Sequence, residues 1–288
     1  MVGNGDVISG IELRHGGLRL AVRPDLGGCV TGFWLDGLPV LRSIEPEQLT
    51  GPRQSACFAM LPYSNRLGFC RFEWEGRQYS TAPNFEGSPH SLHGVGWQRP
   101  WTILEQQSDH VALGYQHRPD EHWPFSFTAR QDVSLAQNHC VMTVNIRNTD
   151  TRTQPAGLGW HPYFPVRNKS RLQIDVASRW LPDPDQLPHA RQAVERLDGP
   201  VSELNLDHCF EDWHGSALLE DEYLRIAIRS SLDRLVVFTP NGRGFYCIEP
   251  VSHVSNAIRS ADPIAQGLCP LQPEHSLVAE MQLEVERR

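Results

Sequence analysis

Alternation of apolar and polar residues with a period of two is the dominant pattern along this chain. In the segment 224–229, Leu224, Ile226 and Ile228 alternate with more polar residues, and the segment 277–285 has apolar residues at every odd position. Successive side chains of a β-strand point to opposite faces of a sheet. Both segments therefore predict strands with one buried and one solvated face.

Two pairs of such segments are separated by polar turns and predict hairpins. The runs 125–134 and 140–148 flank the polar tip at Gln137-Asn138, and this arrangement predicts a long antiparallel hairpin. The stretch Phe72 to Tyr79 contains Glu75-Gly76 at its centre and predicts a shorter one. Antiparallel pairing is therefore the expected arrangement for most of the sheet.

Helical periodicity is scarce. The best candidate helix is His189 to Leu197, which has Ala190, Val194 and Leu197 on one side and Gly199-Pro200 after its end. The 23 Gly and 22 Pro are scattered as turn residues, without a linker, a low-complexity tract or a fixed-period repeat. The pattern predicts an all-β protein, a large antiparallel β-sandwich, in which residues 1–288 form a single domain.

The composition excludes several classes of partner. The net charge of −8 comes from acidic and basic residues interspersed along the chain, so a nucleic-acid partner is not expected. No apolar run approaches membrane-spanning length, and the amino terminus has no leader pattern, so we expect a cytoplasmic protein without a membrane partner. The seven cysteines are widely spaced and predict reduced thiols. A monomer or a homodimer is expected.

Three separated motifs carry the candidate chemistry. They are Leu92-His93-Gly94, the aromatic segment 160–164 around His161, and the segment 246–250 that contains Glu249. Two imidazoles and one carboxylate can donate a proton at one point of a substrate while removing one at another. That is the minimum equipment for opening and reclosing a cyclic hemiacetal, and it requires no cofactor.

The histidine count also raises the possibility of a metal site. The chain has 13 His, of which His110, His117 and His122 lie near one another between two predicted strands. Their spacings of seven and five residues fit no common zinc pattern, and a regular strand would send His110 and His117 to opposite faces. No Gly-rich phosphate-binding loop is present either. We therefore expect neither a metal ion nor a cofactor.

Each catalytic candidate has a structural alternative. Glu249 follows an apolar strand and precedes Pro250, which favours partial desolvation, but a strand-end Glu could face water or pair with an Arg. His161 lies among aromatic residues, where a histidine is often a core residue. His93 has a glycine after it that lets a ligand approach the backbone, although it could be an ordinary loop residue, and His90 could take its place.

The binding candidates are equally open at this level. Arg66 follows Asn65 in a predicted loop, and its planar fork suits paired hydroxyls, but a surface Arg is the default interpretation. Asp207 has several acidic neighbours in sequence and could simply belong to an acidic loop. Trp97 and Trp101 could supply flat apolar surface to a sugar.

The three motifs, together with Asn65-Arg66 and the segment Leu206-Asp207-His208-Cys209-Phe210, resemble the aldose 1-epimerase (galactose mutarotase-like) family in content and order. The resemblance runs nearly end to end. It implies a supersandwich of two broad sheets with a sugar site in a cleft on one face. It also implies an isomerase of carbohydrate metabolism that interconverts the α and β anomers of an aldose without a cofactor.

The resemblance also implies roles for individual residues. Glu249 would be the base, His161 the acid, and His93 a hydrogen-bond donor to the ring oxygen or the anomeric oxygen. Substrate would be held by Arg66, Asp207, Asn65 and Trp97, and Asp207 would in addition hold one imidazole protonated. Pro162 after His161 and the sequence Gly94-Val95-Gly96-Trp97 depart from the best-known pattern of the family and resemble a divergent bacterial branch, so the sugar itself is not carried over.

Three alternatives stay open. The protein could be a carbohydrate-binding or regulatory protein without turnover on the same scaffold, or Asp207 and Glu249 could form a glycosidase pair. It could also be an epimerase that acts on a sugar phosphate. We expect a neutral sugar instead, because no Lys/Arg set is clustered near the motifs, unless Arg53, Arg66, Arg71 or Arg99 converge in space.

Overall fold

A computed structural model describes residues 10–288. The amino-terminal residues on which the expectation of a missing leader rests lie outside this part. The first fourteen strands are β1 (Ile11–His15), β2 (Leu18–Arg23), β3 (Cys29–Leu35), β4 (Leu38–Pro39), β5 (Ala59–Met60), β6 (Arg66–Leu67), β7 (Arg71–Trp74), β8 (Arg77–Ser80), β9 (Ser91–Leu92), β10 (Thr102–Gln106), β11 (His110–His117), β12 (Phe127–Ala136), β13 (His139–Asn148) and β14 (Gln154–Ala156). The others are β15 (Gly159–Trp160), β16 (Tyr163–Pro165), β17 (Arg171–Ile174), β18 (Ser178–Pro182), β19 (Pro188–Ala193), β20 (Leu197–Pro200), β21 (Asp207–Glu211), β22 (Ser216–Glu220), β23 (Leu224–Ser230), β24 (Arg234–Phe238), β25 (Phe245–Val251), β26 (Cys269–Leu271) and β27 (Ser276–Arg287).

Two broad antiparallel sheets form the sandwich. The larger has nine strands in the order β10-β11-β12-β13-β27-β23-β22-β17-β20, and the smaller has eight, with β19-β18-β21-β24-β25-β15-β5 in line and β16 beside β25. Buried side chains of both sheets, such as Val133, Met281 and Ile248, belong to one continuous hydrophobic cluster. The predicted fold class, an all-β antiparallel sandwich, is therefore confirmed.

The hairpin predictions are also confirmed. Strands β12 and β13 pair along their whole length, from Phe127 opposite Asn148 to Ala136 opposite His139, and β7 pairs with β8 around Glu75-Gly76. Alternate residues of β23 and β27 are buried as the period of two requires. The local pattern was sufficient here because each hairpin has one core-facing side and a polar turn.

The predicted helix at His189 to Leu197 is wrong. Residues 188–193 form strand β19, which pairs with β18, and Leu197 begins β20, which pairs with β17. Only three apolar residues supported the helical pattern, and backbone pairing with strands already present outweighs so weak a local preference. In the described part of the chain the helices are short 3-10 turns, at Pro46–Gln48, Pro52–Gln54, Gly68–Cys70, Gly96–Gln98, Val201–Glu203 and Ala257–Arg259. None of them has the length or apolar character to cross a membrane.

The alternation of β25 decides where the chemistry lies. Tyr246 and Ile248 point into the main core, whereas Cys247 and Val251 belong to a second, smaller apolar cluster on the other face of the eight-stranded sheet. Glu249 shares the face of Cys247 because the two are two positions apart along the strand. The outer face of the smaller sheet therefore carries the catalytic candidate.

Candidate active site

An open cleft of about 650 Å³ lies on this outer face. Strands β21, β24 and β25 contribute side chains to its floor, and the loops around residues 42, 53–58, 65 and 93 contribute its walls. The cleft brings together all seven residues that the sequence singled out, namely Asn65, Arg66, His93, Trp97, His161, Asp207 and Glu249.

Glu249 and His161 form a buried pair at this floor. His161 Nε2 lies 3.5 Å from Glu249 Oε1, and the two side chains are only 10% and 3% exposed. His161 Nδ1 and Glu249 Oε2 have no hydrogen-bond partner within the described chain. Buried polar atoms are rarely left unsatisfied in folded proteins, so this pair is equipped to bind a polar ligand in the cleft.

Burial disfavours the charged form of both groups. It raises the pKa of Glu249 well above its usual range, with a smaller contribution from the negative charge of Asp207 that Arg66 partly offsets. Burial likewise holds the pKa of His161 well below its usual range, and His93 and Arg42 add to this effect. Together these shifts favour one proton on the pair, held by the carboxyl group.

Aromatic rings fix the orientation of His161. Its imidazole packs against Phe58, at a centroid distance of 4.8 Å, and against Tyr163, at 4.5 Å, with interplanar angles of 30° and 22°. A side chain held against two rings loses little further freedom when a substrate binds. The aromatic setting noted in the sequence is therefore an orienting device at the cleft as well as a source of burial.

The tautomer of His93 is determined by a contact with the neighbouring loop. The backbone N–H of Asn65 donates to His93 Nδ1 at 3.1 Å, and the backbone N–H of His93 donates to the Asn65 carbonyl at 2.9 Å. In the neutral ring the other nitrogen, Nε2, must then carry the proton. Burial lowers the pKa of His93 to about 3, so it stays neutral near pH 7 and offers a fixed N–H donor.

The turn that presents His93 depends on its glycine. Gly94 has a φ of +68°, and a Cβ at this position would lie 2.1 Å from the carbonyl oxygen of Leu61. Asn65 and His93 themselves have positive φ values of 54° and 60°. Strained backbone of this kind persists where the surroundings enforce it, commonly at functional sites.

Arg66 and Asp207 face each other at the rim of the cleft. Their nearest charged atoms, Nη2 and Oδ2, are 3.7 Å apart, and the Asp207 side chain is 40% exposed. Asn65 Oδ1 accepts from the backbone N–H of Arg66 at 2.8 Å and from the hydroxyl of Ser255 at 2.8 Å. Asn65 thus positions the arginine, and Arg66 and Asp207 present a donor and an acceptor to the cleft.

The resemblance implied that Asp207 holds one imidazole protonated, but its position does not support that role. Its partner is Arg66, and the pKa values of both His93 and His161 are lowered, in each case mainly by burial. The aspartate begins β21, separated from β25 by β24, so its charge acts on the site across one intervening strand.

The tryptophans have a different role from the predicted one. Trp97 is 1% exposed, stacks on Phe58 at 5.2 Å and donates its indole N–H to the carbonyl of Leu92. It supports the wall of the cleft and leaves little surface for a sugar. Trp101 does not line the cleft and packs against Tyr115.

His90 is not an alternative to His93. Its Nδ1 accepts from the backbone N–H of Phe69, its Nε2 bonds to the carbonyl of Asp185, and it lies outside the cleft lining. Of the zinc candidates considered, His110 contacts Asp132 and His117 contacts the Trp123 carbonyl. These histidines are occupied structurally.

In the described part of the chain, one set of side chains has the spacing of a metal site. It consists of His161, Cys247 and Glu249, whose donor atoms lie within 4.8 Å of one another. Burial holds the pKa of the Cys247 thiol well above its usual range, and the thiolate rather than the thiol is the metal ligand. The set therefore suits proton transfer better than metal binding.

Several cleft residues escaped the sequence interpretation. Phe58, Arg42 and Arg243 line the cleft, and Arg53 joins Arg66 there, whereas Arg71 lies on the wall of another cavity. Arg99 pairs with Asp120. Two of the four arginines whose convergence the sequence left open, Arg53 and Arg66, therefore do converge, because chain segments far apart in sequence meet at one face. No local signal distinguishes these residues from ordinary surface or core positions.

His253 anchors the loop that carries Asn65 and Arg66. Its Nε2 accepts from the backbone N–H of Ser64 at 3.0 Å, and its Nδ1 donates to the Val254 carbonyl at 2.8 Å. The bond accepted by Nε2 requires the neutral ring, and burial lowers the pKa of His253 to about 4. The unfolded chain therefore binds a proton at this residue below about pH 6.5 that the folded chain does not bind.

Acidification should consequently destabilise the protein through His253. Between pH 7.5 and pH 5, this residue should lower the free energy of unfolding by about 2 kcal/mol, because stability rises with pH wherever the unfolded state binds more protons. Urea unfolding of the wild type and of His253→Gln at both pH values tests this. The difference in stability between them should shift by about that amount in favour of the variant at pH 5, and an unchanged difference would refute it.

The sequence and the fold both have recognisable relatives. The family profile described as Aldose 1-epimerase matches residues 9–284. YphB of Escherichia coli strain K12, an uncharacterized protein, is 31% identical over 297 residues, which cover 95% of this chain and 98% of YphB.

Solved structures share the architecture. The crystal structure of an Escherichia coli K12 protein superposes with a TM-score of 0.88 at 29% identity, covering 97% of this chain and 99% of that one. A galactose mutarotase-like protein from Clostridium acetobutylicum gives 0.84 at 19% identity and covers 96% and 95% of the two chains. At 19% identity, the second likeness concerns the fold alone.

Proposed function

Because the chain belongs to the aldose 1-epimerase family, we propose that it is an enzyme that interconverts the α and β anomers of an aldose. The observation that carries this proposal is the 3.5 Å contact between His161 Nε2 and Glu249 Oε1 at the floor of the cleft. Ring opening of a cyclic hemiacetal removes a proton from the anomeric hydroxyl and delivers one to the ring oxygen. Two adjacent groups that share one proton meet this need.

The steps balance without a co-reactant. Glu249 removes the proton of the anomeric hydroxyl, the bond between C1 and the ring oxygen breaks, and His161 protonates the ring oxygen, which gives the open aldehyde. Rotation about the C1–C2 bond then presents the other carbonyl face. Reclosure returns each proton to its original residue, so the enzyme ends unchanged.

The opposite starting arrangement is kinetically equivalent. Burial favours a protonated Glu249 and a neutral His161, and from this arrangement the carboxyl would act as the acid and the imidazole as the base. Both arrangements contain the same number of protons, so the pair titrates as a unit. We assign the base role to Glu249, and the substrate hydroxyls would stabilise its carboxylate form on binding.

The remaining residues would hold the sugar in place. His93 Nε2–H is a fixed donor for the ring oxygen or the anomeric oxygen. Its hydrogen bond strengthens as negative charge develops on that oxygen. Arg66 and Asp207 would bind hydroxyls farther along the ring. Rotation about the C1–C2 bond requires that these contacts leave C1 free to turn. The cleft is open at its rim, which is compatible with this requirement.

Two rival functions receive less support. A glycosidase would use Asp207 and Glu249 as its pair, but β24 lies between their strands and the two are offset by two residues in register, so their Cα atoms are roughly 12 Å apart. Each is also matched with a basic side chain, Arg66 or His161. A non-catalytic binding protein could use the unsatisfied atoms of His161 and Glu249 to bind a ligand, but it would not need an acid and a base 3.5 Å apart.

The proposal predicts faster anomer exchange of at least one free aldose with EDTA present. Polarimetry after dissolving a pure anomer, or exchange NMR at equilibrium, measures the rate over a panel of hexoses, pentoses, deoxysugars and their acidic derivatives. Rates at the solvent value for every sugar, with folded protein, would favour the binding-protein alternative. Hydrolysis of a glycoside would favour the glycosidase.

A further inference from the structure

The charges on the cleft wall are unevenly compensated. Arg66 is balanced by Asp207, and burial favours the neutral form of Glu249. Three more arginines line the cleft, Arg42, Arg53 and Arg243, and none of them has a carboxylate within 4 Å among residues 10–288. A net positive cleft in a chain of net charge −8 is a local feature that composition does not produce by itself.

Arg42 is the best fixed of the three. Its guanidinium lies over the ring of Tyr163 at 3.8 Å and over that of Phe245 at 4.9 Å. It donates to the backbone carbonyls of Arg53 at 2.9 Å and Ser55 at 2.6 Å. These contacts orient the guanidinium before any ligand arrives, which lowers the entropy lost on binding.

The same arginine is incompletely satisfied. Its Nε is buried and has no hydrogen-bond partner in the described chain, and burial lowers the pKa of its guanidinium, which no carboxylate within 4 Å offsets. A desolvated cation without a paired anion is costly to keep in a fold. A ligand that brings an anion to this wall would offset that cost.

Arg42 is separated from the catalytic pair by a single ring. Tyr163 has His161 stacked on it at 4.5 Å and Arg42 over it at 3.8 Å. Both His161 and Arg42 line the cleft, so a sugar bound with its anomeric carbon at His161 shares this cavity with the arginines. Arg53, over Phe85 at 4.1 Å, belongs to the same cleft wall.

We propose, on the basis of the proposed function, that the aldose carries an acidic group remote from its anomeric carbon, which Arg42, Arg53 and Arg243 bind. Phosphate and carboxylate share the required chemistry, since both accept paired hydrogen bonds from a guanidinium fork. A neutral sugar would leave the three cations uncompensated. The inference reverses the sequence-based expectation of a neutral sugar, whose premise the convergence of arginines removes.

The test compares anomer-exchange kcat/KM for glucose and galactose with that for their 6-phosphates and for glucuronate and galacturonate. At least one acidic sugar should exceed its neutral parent about tenfold or more, the effect of one or two charge-assisted hydrogen bonds. This advantage should shrink as KCl is raised, since salt screens attraction at a partly exposed site. Preference for the phosphates or for the uronates identifies the acidic group.

Matched variants locate the effect. Arg53→Gln and Arg243→Gln should each lower the ratio of acidic to neutral kcat/KM about tenfold, and Arg71→Gln, on the wall of a different cavity, should leave the ratio unchanged. If the neutral parent sugars have the same kcat/KM as the acidic sugars, the inference is overturned and the proposed function is retained. An acidic preference that survives both cleft variants would also overturn it, and exchange of no aldose at all would overturn both proposals.

Discussion

Replacing Glu249 by glutamine should lower kcat for anomer exchange by about two to four orders of magnitude, the usual contribution of a positioned acid or base, and should also stabilise the fold at neutral pH. Glutamine keeps the shape of the side chain and cannot exchange a proton with a hydroxyl. Substrate binding should change less than kcat, because His93 and Arg66 keep their contacts with the sugar.

The stabilising effect follows from the sign of the pKa shift. The folded-state pKa of Glu249 lies well above its ordinary value, so between the two values the folded chain binds a proton that the unfolded chain has released. The contribution of Glu249 to wild-type stability therefore falls as the pH rises above about 4.5. The variant lacks this loss, and its advantage should widen from pH 5 to pH 8.

Urea unfolding at both pH values, combined with anomer-exchange kinetics, checks this prediction. Glu280→Gln on the solvent face of β27 serves as the control, because Glu280 is exposed, and it should change neither property appreciably. Near-wild-type turnover of Glu249→Gln would remove Glu249 from its assigned role. A destabilised variant at pH 8 would show that the carboxylate is compensated in the fold.

Replacing His161 by asparagine should likewise lower kcat by about two to four orders of magnitude. Asparagine can pack against Phe58 and Tyr163 and can donate a hydrogen bond, but it cannot transfer a proton at neutral pH. The wild type should show a bell-shaped dependence of kcat/KM on pH, because activity requires one proton on the His161–Glu249 pair. Full protonation of the pair ends activity at low pH and loss of the last proton ends it at high pH.

Stopped-flow polarimetry across pH 5 to 9 measures both properties. His275→Asn, at an exposed position, is the matched control. It should retain the wild-type kcat and the bell-shaped pH dependence of kcat/KM. A flat wild-type profile across this range would contradict the paired mechanism. Turnover of His161→Asn near the wild-type rate would assign the acid role to another group.

The sequence predicted the sheet architecture where a strand has one wet and one buried face. Strands β12, β13, β23 and β27 follow the period of two closely, because the face packed in the core and the polar face differ in every second residue. Residues 188–193 form β19, the edge strand of the eight-stranded sheet, and none of their side chains is fully buried. The sequence therefore has no alternation that would predict a strand there. Tertiary pairing, which a local pattern does not contain, decided that segment.

The sequence predicted those cleft residues that belong to short motifs. Glu249 and His161 were identified from motifs and family resemblance, and the alternation of β25 explains why Glu249 leaves the main core. Arg42 and Phe58 are not parts of any such motif. They reach the cleft because β3, β5 and β16 bring distant loops together, and their roles follow only from contacts with Tyr163 and His161.

The central claim is that His161 and Glu249 act as one proton-transferring unit, and the double variant His161→Asn/Glu249→Gln tests it most directly. Residues that act as a unit show grossly non-additive losses. Anomer exchange by the double variant, measured by exchange NMR on the best aldose of the panel, should be within about threefold of the slower single variant. A total loss relative to the wild type equal to the product of the two single losses would contradict the claim and would assign the residues to independent roles.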